Sequence, residues 1–199
     1  MGDTTPDYSY TSASNDSANV RVIKQYALFL FKTTDTAVTL PTNTSWTAPT
    51  GVKPIGYSTE DGAVLHPEAG DDTEIKGHNG DVIYAESTGG YWTLQLAGVE
   101  CKRSVAEAYF GVAVGSDGAI HLDDASTGGT TYNVVLAALD AKGRPLIVVL
   151  HDATVSERDD IAITYTDAIQ LNMTFKGKKA TGAEGHMLDL YGFAVDDAA

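Results

Sequence analysis

Cysteine is nearly absent. Cys101 stands alone among 199 residues, so no internal disulfide can form and a disulfide-built secreted scaffold is excluded. A chain of this length buries most of the surface its unfolded form exposes, so it needs no such staple. A reducing compartment during folding is expected. Positive charge is scarce too. Thirteen Lys and Arg stand against 27 Asp and Glu, a net charge of −14. A grip on nucleic acid needs basic residues facing phosphates, and this balance argues against one. No apolar run approaches the ~20 residues of a membrane helix, so no membrane contact is expected. Residues 1–19 lack a basic region followed by an apolar core, so no secretory signal is expected and the chain should be made in cytosol.

Catalytic signatures are missing as well. The histidines are His66, His78, His121, His151 and His186, and no two have zinc-ligand spacing such as HxxxH. His151-Asp152 near Ser156 holds the letters of a triad. There is no GxSxG elbow, and the stretch reads as a surface loop. Asp71-Asp72-Thr73-Glu74 and Asn79-Gly80-Asp81 lack the spaced oxygen ligands of an EF-hand. The phosphate-cradling GxxxxGK[ST] and GxGxxG patterns are absent. The ten tyrosines interleave with Asp and Thr, poor material for stacking on bases. The expectation is no catalytic residue, no cofactor and no metal.

What the chain does have is β signal. Residues 1–19, rich in Ser, Thr, Asp and Asn, read as a flexible arm. Residues 20–195 read as a single β domain, with 196–199 as a loose tail. Strands are expected at Val20–Phe31, Lys53–Ser58 and Ala63–His66, the last two as a hairpin over a Glu60-Asp61-Gly62 turn. Thr33–Gly51 and Pro67–Asp72 read as loops. Asp81–Glu86 and Tyr91–Val99 read as strands across the turn at 87–90, with Trp92, Leu94 and Leu96 on one face. Tyr132–Leu139 and Pro145–Leu150 predict a hairpin over Asp140–Arg144. Ile161–Tyr165 alternates. Ile169, Leu171, Met173 and Phe175 give the cleanest half-buried pattern. Lys176–Gly185 reads as a basic, Gly-rich loop and Met187–Val195 as a final strand.

One helix is expected around Cys101–Phe110. Cys101, Val105 and Tyr109 recur at i, i+4 and i+8. Ser104 and Glu107 have capping-box spacing, so regular helix is expected only from there, and Gly111 stands at the C-cap. Val134–Leu139 and Leu146–Leu150 are apolar at every position, as is Tyr26–Phe31. An antiparallel strand with one wet face alternates, so these strands need a cover on both faces. One short helix cannot cover all three. Intersubunit burial is the better reading, and Val135, Leu136, Val148 and Val149 are the candidates for a subunit interface.

The stretch PIGYSTEDG, AVLHPE and GDDTEIKGHNGDV carries a glycine-bearing strand, an acidic turn and a Glu-Ile-Lys then Asn-Gly-Asp run. AGVECKRSVAEAYFG adds a helix closing on an aromatic pair before Gly. Together these resemble the major tail protein, or tail tube protein, of long-tailed bacteriophages. The resemblance is strongest over residues 53–111 and weaker over 130–192. It implies a mainly β fold, an antiparallel β-sandwich or rolled barrel with one short flanking helix. It also implies six-fold rings stacked into a tube in the virion tail. That tube would be the conduit for DNA ejection, made in the host cytoplasm before assembly. The inner sheets would join across subunits, and the loop near 33–52 or 60–80 would bridge rings with the terminal arms. The implied partners are further copies of the chain, a tape-measure protein in the lumen, and tail initiator and terminator proteins. DNA would pass without specific binding, and an acidic bore would repel it. A similar fold serves the tube of bacterial type VI secretion. The rival from another class is a monomeric β-sandwich binding module, carbohydrate-binding or on the virion surface. It accounts for the alternating strands but not for the doubly apolar ones.

Overall fold

The computed structural model describes residues 15–17, 19–122, 129–180 and 185–194. The arm at 1–19 falls largely outside them. So do the tail at 196–199 and positions 181–184 of the loop after Lys176. Within the described residues the chain forms nine strands and one helix. The strands are β1 Ile23–Lys32, β2 Ser58–Glu68, β3 Asp72–Lys76, β4 Val82–Ser87, β5 Tyr91–Gly98, β6 Tyr132–Asp140, β7 Pro145–Arg158, β8 Leu171–Lys176 and β9 Leu188–Tyr191. The helix, α1, is Arg103–Phe110. Seven strands make one curled antiparallel sheet in the order β1-β6-β7-β8-β5-β2, with β9 also on β7. The mainly β, tail-tube-like fold expected from the sequence is the one observed.

The curl arises in β7. Its first half pairs with β6 on one edge and β9 on the other. Past Leu150 the ladder slips, and Asp152 sits at φ 43°, a left-handed conformation that Asp tolerates better than most residues. Beyond this bulge, Thr154–Arg158 pairs with β8, so one strand serves both halves of the sheet. The strand expected from sequence ends at Leu150, whereas the observed one runs on to Arg158.

Each half contributes one alternating face to the main core. Leu28 of β1, Val134 of β6 and Leu150 of β7 meet Leu94 and Leu96 of β5, and Leu171, Met173 and Phe175 of β8. Tyr132 meets the Phe175 ring edge-on at 6.0 Å. Helix α1 closes the end of this core with Val105, Ala106, Ala108 and Tyr109. It starts at Arg103, with Lys102 as an N-cap that makes no side-chain capping bond. Glu107 does not form the expected capping box with Ser104. Its carboxylate accepts from Lys32 Nζ at 2.9 Å and from the Val114 N–H at 3.3 Å. Gly111 does end the helix, at φ 71°, with its N–H on Glu107 O at 3.0 Å.

The opposite face of β1, β6 and β7 is covered by the chain itself. Phe29, Phe31, Val135, Ile147 and Val149 pack beneath Val38, Leu40, Trp46 and Val52 of the 33–52 segment. Trp46 meets Phe29 edge-on at 5.6 Å and donates its indole N–H to Thr39 O at 3.0 Å. The sequence reading looked for the second cover in a helix or another subunit. A Thr- and Pro-rich loop with four spaced apolar residues supplies it here.

Other expectations are revised. Glu60-Asp61-Gly62 is not a hairpin turn. It is a bulge inside β2, where the ladder on β5 skips from Ser58↔Gly98 to Ala63↔Leu96 and Gly62 sits at φ 74°. Residues 53–57 are not a separate strand, although the Ile55 N–H donates to Leu28 O at 2.8 Å. β4 and β5 do not pair with each other across 87–90: β4 pairs with β3, and β5 with β2 and β8. Ile161–Tyr165 forms no strand. The last strand is only four residues, and Val195 lies outside the described residues.

Candidate assembly surface

Of the chemistry-bearing side chains, His151 and His186 meet at Asp189, while Ser156 lies apart from them. His151 lies in β7, not in a surface loop, and is buried with Nε2 2.9 Å from Asp189 Oδ2 of β9. His186 Nδ1 lies 3.2 Å from the other oxygen of the same carboxylate. Ser156 Oγ donates to Thr174 O at 3.2 Å, away from His151. Among the described residues no group of three His, Cys, Asp or Glu could hold a metal ion.

One buried carboxylate organises the N-terminal end of the fold. Asp140 closes β6 and is almost inaccessible. Its Oδ1 accepts the N–H groups of Lys142 at 2.9 Å and Arg144 at 2.8 Å. Its Oδ2 accepts Arg144 Nε at 2.7 Å and Arg21 Nε at 3.2 Å. Burial pushes its pKa up, but the Arg144 N–H, the Arg144 guanidinium and the Lys142 N–H together hold it well below the usual carboxylate range. Arg21 also donates to the carbonyls of Gly192, Arg144 and Pro145. Residue 21, the β6–β7 turn and the end of β9 are thereby fixed to one another.

Beside this clamp the two halves of the sheet part, leaving a groove of about 1030 Å³. Its apolar walls include Tyr26, Leu65, Leu136, Ala138, Leu146 and Val148, and its mouth carries Arg21, Lys24 and Glu60. The four interface candidates divide here. Leu136 and Val148 line the groove, Leu136 half-buried and Val148 3% exposed. Val135 and Val149, each 0% exposed, sit on the far face beneath the 33–52 segment.

Two further features stand out from the body. β3 and β4 form a separate two-stranded ribbon in which every residue is exposed. The ribbon continues the β2–β5 pair beyond a pinch at Gly70 and Gly90. Ile75 opposes Tyr84 and Lys76 opposes Val82, leaving apolar side chains in water. From sequence, Asp72–Lys76 falls in loop, at Pro67–Asp72 and within the stretch near 60–80. The missed signal was Asn79-Gly80 ahead of Val82-Ile83-Tyr84, a hairpin-turn pair with Gly80 at φ 87°.

The second feature is the connection from β7 to β8, residues 159–170. Its base is fixed: Tyr109 donates its hydroxyl to Asp159 O, Arg158 Nε donates to Tyr109 O, and the Asp159 N–H reaches Asn172 O at 3.2 Å. At its tip Asp167 accepts from the hydroxyls of Thr164 at 3.3 Å and Thr166 at 3.2 Å. Between base and tip, Ile163 is 83% exposed and Tyr165 fully so.

Comparison with known proteins comes from three sides. A family model described as phage tail tube protein matches residues 14–188. None of the curated proteins matches the chain. Among solved structures, one similar chain belongs to an extracellular contractile injection system, the PVC sheath-tube complex in its extended state, determined by cryo-EM. The match covers 94% of this chain and 98% of that one at 7% identity, with a TM-score of 0.40, too remote to bear on assembly.

Proposed function

We propose that this chain, which belongs to the phage tail tube protein family, closes six copies into a ring and stacks rings into the tube of the virion tail. The tube conducts DNA into the host cell without specific binding. The family match over residues 14–188 carries the reading. The exposed ribbon, the protruding 159–170 segment and the open apolar groove support it, because apolar surface of this kind marks contact sites in soluble proteins. In this reading 20–195 act as one tail-tube domain, with 1–19 as an arm and 196–199 as a tail.

Lateral contacts are heterologous and close by rotation, whereas axial contacts do not close and so allow growth. We assign ring stacking to the β3–β4 ribbon. The 33–52 segment is committed to covering β1, β6 and β7. A tape-measure protein fills the lumen before DNA does, and tail initiator and terminator proteins bound the tube. Synthesis is in the host cytoplasm. Gel filtration followed by negative-stain microscopy at rising concentration tests the reading. Rings or tubes are expected, and a persistent monomer at every concentration overturns it.

A further inference from the structure

The groove and the 159–170 segment have complementary chemistry. The groove is apolar inside, and its mouth carries two cationic side chains, Arg21 and Lys24, against one carboxylate, Glu60. Arg21 is held by Asp140 and three carbonyls, which leaves Lys24 and Glu60 as the exposed charges of the lining. Lys24 is exposed and makes no ion pair among the described residues. The 159–170 segment offers the reverse: two apolar side chains, Ile163 and Tyr165, standing in water between Asp159-Asp160 on one side and Asp167 on the other. None of its residues lines the groove of its own chain.

We propose that residues 159–170 form a tongue that seats in the groove of a second copy of this chain. Ile163 and Tyr165 enter between Leu65, Leu136 and Val148, and Asp160 and Asp167 stay at the mouth near Lys24. The contact joins two different patches, so it is head-to-tail and repeats from copy to copy. With ring stacking assigned to the β3–β4 ribbon, this contact is the lateral one of the ring, and it rests on the self-assembly reading above. A groove of about 1030 Å³ takes a short segment rather than a domain. The charges at the mouth steer the encounter and fix which way the tongue lies, while the apolar pair supplies the affinity. The fixed base at Tyr109, Arg158 and Asn172 holds the tongue ready, which lowers the ordering cost of binding. With both patches unfilled, the free chain leaves apolar surface in water that the ring covers.

The full chain carrying Ile163→Asp with Tyr165→Asp tests this. Both side chains are exposed, so the monomer should keep its circular dichroism and melting temperature. The concentration needed for half-assembly should rise about tenfold or more. If the variant assembles like the wild type, the tongue proposal is overturned and the tube reading stands. If the wild type itself never assembles, both are overturned. A second measurement uses two single-cysteine chains in a Cys101→Ser background, one with Tyr165→Cys and one with Ala63→Cys. A short bis-maleimide should link them only when they are mixed. Assembly of the mixture without that link, or equal linking within either chain alone, also overturns the proposal.

Discussion

At the residue scale, Asp140 shows how a buried charge is tolerated. Two N–H groups and two guanidinium groups compensate for the water it has lost. Because its folded pKa lies below the unfolded value, its contribution to stability is present above about pH 4 and is lost as pH falls from there. Asp140→Asn should therefore melt at a lower temperature than wild type near neutrality. The gap should narrow in acid. Thermal melts across that range check it, and a gap independent of pH would remove the carboxylate from the explanation. Val149 and Leu136 form a contrasting pair. An aspartate at Val149 puts an unpaired charge where no water reaches, so Val149→Asp should abolish the folded monomer. Leu136→Asp faces the groove and should leave a folded chain that does not form tubes. Normal tubes from Leu136→Asp would end the case for this wall as an interface. Sequence alone could not separate the two, since adjacent valines and leucines on a strand look alike until both covers are known.

At the element scale, the β3–β4 ribbon is the least supported part of the described structure. A lone two-stranded ribbon is marginal in water, and this one buries no side chain. Its amides should exchange rapidly in the free subunit and slowly in the tube. Equal protection in both states would mean that the ribbon does not gate stacking. Ile83→Asp should spare the monomer, because Ile83 is exposed, yet shorten or prevent tubes. The ribbon leaves the body through the pinch at Gly70 and Gly90. A Cβ at Gly70 would run into Thr88 O, and one at Gly90 would lie 2.5 Å from Glu68 O. Both neighbours are backbone and cannot swing away, so alanine at either glycine should displace the ribbon. Helix α1 was legible from its apolar stripe and from Gly111. Its start was not, because Glu107 finds Lys32 of a distant strand and no local spacing reports that.

At the scale of the molecule, charge decides what the assembled particle does with DNA. The chain carries −14, and its Lys176, Lys178 and Lys179 cluster is the main basic exception. Lys176 is already drawn over the Tyr91 ring at 3.5 Å, while Lys178 and Lys179 are exposed. We expect a net negative bore. Exposed charges are screened over ~8 Å at physiological salt, so DNA is kept from the wall by close repulsion rather than by a long-range field. Assembled tubes should retain no DNA on filter binding. Tight, salt-sensitive retention would reverse the assignment and point to those lysines in the lumen.

The sequence by itself determined the mainly β character, the single helix, the β6–β7 hairpin, the absence of an internal disulfide and the sign of the charge. These follow from local alternation, apolar runs and composition, which no distant contact can alter. It also placed the chain beside the tail tube proteins, through the motifs between Pro54 and Gly111. Tertiary structure decided what covers what. Whether Val135 meets solvent depends on Trp46, nearly ninety positions earlier in the chain. Whether Glu60-Asp61-Gly62 turns or bulges depends on which residues of β5 lie opposite. The division of one apolar hairpin into a sealed face and an open groove comes from the curl at Asp152 and from the loop that crosses only one side. Both are matters of three-dimensional placement, on which local sequence pattern is silent.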